Sequence, residues 1–142
     1  MIVHRDVWLT VTGDQTDAEG RNDRNTTACR ALYEIEDGIH RFTYKDIDPE
    51  TGRETQSRME FADAFCRITR SGAVCTSLCF RPLEELESEY ETGFGTILMK
   101  IYTKRLAMRQ VGDNFHARVS YTLYLQGGDP IECAVTVKAE SL

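Results

Sequence analysis

Apolar and polar residues alternate with a period of two along most of the chain, most clearly near its C-terminus. From Phe115 to Leu125 the odd positions Phe115, Ala117, Val119, Tyr121, Leu123 and Leu125 are apolar or aromatic, with His116, Arg118, Ser120, Thr122 and Tyr124 between them. A helix would scatter the apolar set around its circumference, whereas a strand places it on one face. Ile131, Cys133, Val135 and Val137 repeat the pattern against Glu132, Thr136 and Lys138. Gly127-Gly128-Asp129 joins the two segments and permits the positive φ of a tight turn. The pair predicts a hairpin.

The same logic extends towards the N-terminus. Asp37-Gly38, a strong type I′ signal, separates Cys29–Glu36 from Ile39–Asp46. Asp48-Pro49-Glu50-Thr51-Gly52 separates that strand from Glu54–Phe61, with Pro49 presetting φ. Further turns are predicted near Ala62-Asp63, Ser71-Gly72, Pro82, Gly93-Phe94-Gly95 and Gly112-Asp113-Asn114. With a first strand over Val3–Thr12, the pattern gives about ten strands at the spacing of an all-β meander that closes into a barrel. Two segments depart from it. Gly13–Asn25 is polar and aperiodic, and is expected to be a long mobile loop. Between Ile97 and Met108 the apolar phase slips from odd (Ile97, Met99, Ile101) to even (Leu106, Met108), which places a bulge near Thr103-Lys104.

Length and charge narrow the picture. At 142 residues the chain fits one domain, 1–142, able to bury a core without staples. Its formal charge of -6 and the lack of a basic stripe argue against a nucleic-acid partner. The start, Met1-Ile2-Val3-His4-Arg5-Asp6, has no signal-peptide core, and no run reaches membrane-spanning length, so a cytoplasmic location with no membrane association is expected. Five cysteines are an odd number, without a Cys-x-x-Cys pair. Cys75 and Cys79 would stand about 13 Å apart on a strand, beyond disulfide reach. Free thiols in a reducing compartment are the expectation.

Candidate chemistry is sparse. His4 and His116 fall on outward phases and His40 on the inward phase of Phe42 and Tyr44, a spacing that suits no metal site. No nucleophile elbow is present. Alternation puts Glu85, Glu87, Glu89 and Glu91 on one solvated face, about 7 Å apart, too far to chelate one ion together. Neither a catalytic residue, a metal nor a cofactor is implied. Arg70 is the most informative polar residue, because it continues the inward phase of Cys66 and Ile68. An inward arginine needs a carboxylate, the barrel mouth or a ligand anion. Beside Ser71-Gly72 it either reaches water at the strand end or anchors a ligand carboxylate.

Several segments resemble a known family. Ile68-Thr69-Arg70-Ser71-Gly72-Ala73-Val74, Tyr90-Glu91-Thr92-Gly93-Phe94-Gly95-Thr96 and Lys100-Ile101-Tyr102-Thr103 are similar to the YwiB-like family of small bacterial proteins. Tyr33-Glu34-Ile35-Glu36-Asp37-Gly38 resembles its second strand and turn. The likeness runs from about Leu32 onward; the polar stretch 13–25 looks longer than usual for the family, and the extra cysteines depart from it. The resemblance implies a calycin-like (lipocalin-type) barrel of about 8–10 strands and no activity, because the family has no established function and fold does not fix function. The lipocalin Gly-x-Trp signature is missing, and Trp8, the single tryptophan, falls on the outward phase.

The leading expectation is therefore a non-enzymatic barrel that binds a small apolar or carboxylate-bearing molecule. Barrels of this size hold either their own side chains or one small ligand. Tyr44, Phe61, Phe80, Tyr90 and Tyr121 would line the interior beside Arg70. The alternative is a homodimer or protein-interaction module, motivated by the outward Trp8, Leu32 and Tyr124. An enzyme would need an inward acid or base beside a pocket, and the pattern names none.

Overall fold

The alternation is realised as ten strands: β1 (Val3–Thr16), β2 (Asn22–Glu36), β3 (Ile39–Ile47), β4 (Glu54–Phe61) and β5 (Cys66–Gly72), then β6 (Cys75–Phe80), β7 (Glu85–Thr92), β8 (Gly95–Val111), β9 (Asn114–Leu125) and β10 (Ile131–Ser141). The computed structural model describes residues 3–47, 50–72, 75–92 and 94–142, with the backbone alone at Val3 and at 90–92. The predicted turns at Asp48-Pro49 and at Gly93 fall, in those positions, outside the described residues. Each strand pairs antiparallel with the next, and β10 returns to β1, so the sheet closes on itself. Closure is what removes the free edges that a meander otherwise exposes.

Local chemistry sets the register. Asp37 and Gly38 take φ of 51° and 77°, the two positive values of a type I′ turn. Gln126 and Gly127 do the same at 50° and 71°, one residue ahead of the predicted centre of that turn. The phase slip in β8 is a register shift between Thr103 and Arg105 opposite Tyr121 and Ser120, where the bulge was expected. Val7, Leu9, Phe115, Val119 and Val137 are buried, and Trp8 faces outward at 43% exposure.

The expected loop over 13–25 is a correction. β1 runs on to Thr16 and β2 starts at Asn22, so that only 17–21 forms the turn. Asp17 organises it, its Oδ1 accepting from the Glu19 and Arg21 amides at 2.9 Å. The ribbon is held by its own ladder, from Thr12↔Thr26 to Thr16↔Asn22, and by β10 on the other edge of β1. Its inward positions, Gly13, Gln15, Asp23 and Asn25, line an open mouth instead of a packed core. No apolar alternation marked it in the sequence for that reason.

The interior is filled at one end. Tyr33, Phe42, Phe61 and Phe115 are all fully buried, with ring centroids 4.5 Å apart for Tyr33–Phe42 and 5.6 Å for Phe61–Phe115. Offset and tilted contacts of this kind add to the burial each ring provides. Arg5 lies over the Tyr33 ring at 5.2 Å, donates to the Asp113 carbonyl at 2.8 Å and so covers the plug from outside. The inward residues grow smaller and more polar towards the other end, where β1–β2, β9–β10 and the remaining turns of that rim meet.

Gly72 ends β5 opposite Thr55, and its φ of 121° together with a Cβ position pressing on the Glu54 carbonyl oxygen excludes a side chain. Gly72→Ala is expected to lower stability by about 1–3 kcal/mol in urea unfolding. Gly13→Ala, whose Cβ meets nothing within 4 Å, should stay within about 0.5 kcal/mol. Equal effects at the two positions would show that the β5 end is not constrained as described.

Candidate ligand-binding site

Opposite the aromatic plug the barrel encloses a cavity of about 470 Å³ that opens to solvent. Its floor is apolar, made by Met59, Ile68, Met99, Ile101 and Val135 from β4, β5, β8 and β10. Its rim is polar: Arg70, Asp23, Asp46, Asn25 and Gln15. A volume of this order lies within the roughly 300–1,000 Å³ of sites that enclose small organic ligands, and an apolar body with a few placed polar groups is their usual lining.

The ladder explains how the polar groups converge. Tyr44 of β3 stands opposite Ser57 of β4, Ser57 opposite Arg70 of β5, and Arg70 opposite Thr76 of β6. These inward residues form one row around the barrel wall. Arg70 is exposed at the strand end and also lines the cavity, so the two readings of this residue meet in one place. Among the described residues it makes no ion pair. Burial pushes the Tyr44 and Tyr121 hydroxyls above the ordinary tyrosine range, and in both cases the Arg70 guanidinium opposes that rise. The field of the arginine therefore reaches both phenols.

Two buried hydroxyls stand next to cavity-lining residues, Ser57 within this row and Thr103 across the barrel on β8. Ser57 and Thr103 are each 1% exposed, and Thr103 Oγ1 has no hydrogen-bond partner. The Tyr44 hydroxyl donates to Met59 Sδ, 3.9 Å away, and has Ser57 as its hydrogen-bonding neighbour, which opposes the rise that burial causes in its pKa. Thr103 sits opposite Tyr121, at the bulge. An unsatisfied buried hydroxyl costs about 1–3 kcal/mol.

The structure brings Arg70, Tyr44 and Tyr121 together at the cavity. Phe61 and Phe80 are buried in the packed interior instead, Phe61 in the plug and Phe80 against Tyr121 at 4.6 Å. The side chain of Tyr90 lies outside the described residues; its backbone stands opposite Thr76. The sequence reading missed Asp46, Asp23, Asn25 and Ser57. Asp46 shares the phase of His40, Phe42 and Tyr44 and was legible as inward; Asp23 and Asn25 become so only once β2 is extended back to Asn22. Trp8 and Leu32 are exposed neighbours on β1 and β2, near Arg30 and Asp6, whereas Tyr124 is half-buried on β9 opposite Lys100. The three do not form one patch.

All five thiols are free, and burial raises the pKa of the Cys66 thiol and takes that of Cys133 to about 11. Those two are poor nucleophiles for that reason. At the closed end the Tyr33 hydroxyl and His40 Nδ1 share a hydrogen bond of 2.5 Å, and the His40 ring stacks on Phe115 at 4.8 Å.

An antiparallel meander that closes on itself, plugged at one end and open over a lined cavity at the other, is a calycin-like barrel. The chain belongs to the family described as Domain of unknown function (DUF1934), whose model matches residues 9–137. Its fold is similar to that in the crystal structure of the ywiB protein from Bacillus subtilis, with a TM-score of 0.85, 16% identity, and coverage of 98% of this chain and 93% of that one. A structure of unknown function from Bacteroides ovatus matches with a TM-score of 0.36 and 12% identity, over 97% of this chain and 41% of that one. No curated protein matches the chain.

Burial lowers the pKa of His40, with Asp63 opposing the shift. The unfolded chain therefore takes up this proton more readily than the folded one. The stability that results is complete above the ordinary histidine value of 6.5 and is lost as the pH falls through it. Unfolding midpoints should fall between about pH 7.5 and pH 5, and His40→Gln should flatten that fall. An unchanged pH profile in the variant would remove His40 as its source.

Proposed function

We propose that this protein is a non-enzymatic carrier or sensor of a small, partly apolar, carboxylate-bearing molecule, held in the open half of the barrel. The observation that carries this reading is an unpaired arginine at the rim of an apolar cavity, with two buried tyrosines within reach of its field. A guanidinium in this position offers a carboxylate paired donors, and the half-enclosed mouth screens that interaction less than open water does. The floor of Met59, Ile68, Met99 and Ile101 takes the apolar body, and flexible methionine side chains adapt to more than one shape. Asp23 and Asp46 are the inward carboxylates beside the cavity, and both are exposed to water at the rim. That setting suits a charge that positions a ligand better than a buried general base.

The proposal includes a cytoplasmic setting, supported by the five free thiols. No helix among the described residues is long and apolar enough to cross a membrane. A protein-interaction role on the face first considered would rest on Trp8 and Leu32, since Tyr124 lies elsewhere.

Native mass spectrometry of freshly purified protein, compared with its denatured mass, should show a non-covalent adduct of a few hundred daltons or less. Arg70→Gln should reduce the occupied fraction about tenfold, the loss expected when a charged hydrogen bond of about 1.5–3 kcal/mol is removed. A wild-type protein without adduct, or an adduct retained equally by the variant, would overturn the reading.

A further inference from the structure

The rim is more than an anion site. Arg70 is the only cation among the described residues that line the cavity, while three carboxylates line it with Arg70. Asp14 is already held by Asn22 at 2.5 Å and Arg24 at 2.9 Å, and these contacts keep its carboxyl below the usual range. Asp23 and Asp46 have no ion pair among the described residues. A ligand with only a carboxylate would meet two uncompensated negative charges on a chain of net charge -6. Each costs on the order of 1 kcal/mol at the distances and dielectric of a half-open mouth.

Asp46 is placed to serve a positive group on the same ligand. It stands opposite Thr55, which stands opposite Gly72, one inward step nearer the rim than the row Tyr44, Ser57 and Arg70. Two strand spacings across and two residues along put the Cα atoms of Asp46 and Arg70 about 12 Å apart. Their side chains line one volume without pairing. Both charges act on the Tyr44 hydroxyl, Arg70 against its rise in pKa and Asp46 with it. Ser57 lies between Tyr44 and Arg70 on the ladder and is buried, so the two charges meet across the open volume and not through the wall.

We infer that the ligand is a small zwitterion with an α-amino-acid-like head and an apolar tail. Its carboxylate pairs with Arg70, its ammonium faces Asp46, and its tail occupies the floor of Met59, Ile68, Met99 and Ile101. This rests on the carboxylate-binding reading and narrows it. A head with both charges in neighbouring positions satisfies both unpaired side chains at once, and neither has to be desolvated against a bare like charge.

Three probes with the same eight-carbon chain separate the possibilities: L-2-aminooctanoate, octanoate and octylamine, titrated calorimetrically into the intact protein near neutral pH. The expected order places L-2-aminooctanoate about tenfold tighter than either of the others. Asp46→Asn should erase its advantage over octanoate, and Arg70→Gln its advantage over octylamine, with circular dichroism confirming that both variants retain the sheet. If octanoate binds as tightly as L-2-aminooctanoate, still depends on Arg70 and ignores Asp46→Asn, the zwitterion inference fails while the carboxylate reading survives. If octylamine binds best and ignores Arg70→Gln, or if none of the three binds at millimolar concentration, both fail.

Discussion

Closure of the sheet through β1 is the constraint on which everything else depends. This strand pairs with β2 along one edge and with β10 along the other, so its register is fixed from both sides. A slip of one residue in either ladder would turn Val7 and Leu9 to solvent and drive Trp8 inside. The ring therefore holds ten alternating strands in a single phase relation, and each strand contributes alternate side chains to a shared interior. Among the described residues each strand has a ladder partner on both sides, and what varies most along the barrel is the kind of side chain that points inward.

Those side chains grade from one end to the other. Along β3 the inward positions run His40, Phe42, Tyr44, Asp46, and along β5 they run Cys66, Ile68, Arg70. At the first end of each series large rings fill the cross-section, as the contacts among Tyr33, Phe42, Phe61 and Phe115 show. At the other end the same cross-section meets aliphatic residues, a glycine at position 13 and short or charged side chains, which cannot close it. A half-filled barrel follows from the order of residue types along the strands, with no change in backbone architecture. The plug keeps the open half from widening, because packing at native density resists displacement.

Much of this was legible in the alternation. Ten strands, the Asp37-Gly38 turn, the inward His40 and the outward Trp8 all follow from period two and turn chemistry, and the bulge at Thr103 follows from a phase slip. Alternation reports which face a residue takes but not its height in the barrel. That is why Phe61 and Phe80 were expected beside the cavity and are found in the packed interior, while Tyr44 and Tyr121 are at the cavity itself. It also fails where the inward face is wet. Gly13, Gln15, Asp23 and Asn25 point into the mouth, so the strands that carry them have two polar faces and read as a loop. Ser57 escaped notice for a related reason: an inward serine looks like a tolerated small residue until the ladder sets it between Tyr44 and Arg70.

The bulge in β8 and the seam between β6 and β7 belong to one accommodation. Among the described residues those two strands are in register only at Cys75↔Glu91 and Thr76↔Tyr90, fewer pairs than any other neighbours in the ring. Beyond that point the Ser88 hydroxyl donates to the Ser77 carbonyl, a side chain taking over from the ladder. The turn that follows β6 then leans on β8 instead: the Leu83 amide donates to the Thr103 carbonyl at 2.8 Å and the Thr103 amide to the Glu84 carbonyl at 3.3 Å. Thr103 is thus held by backbone bonds at the residue where β8 shifts register against β9. Its position is dictated by the ring, not by its own side chain, and its buried Oγ1 is left without a partner beside Tyr121.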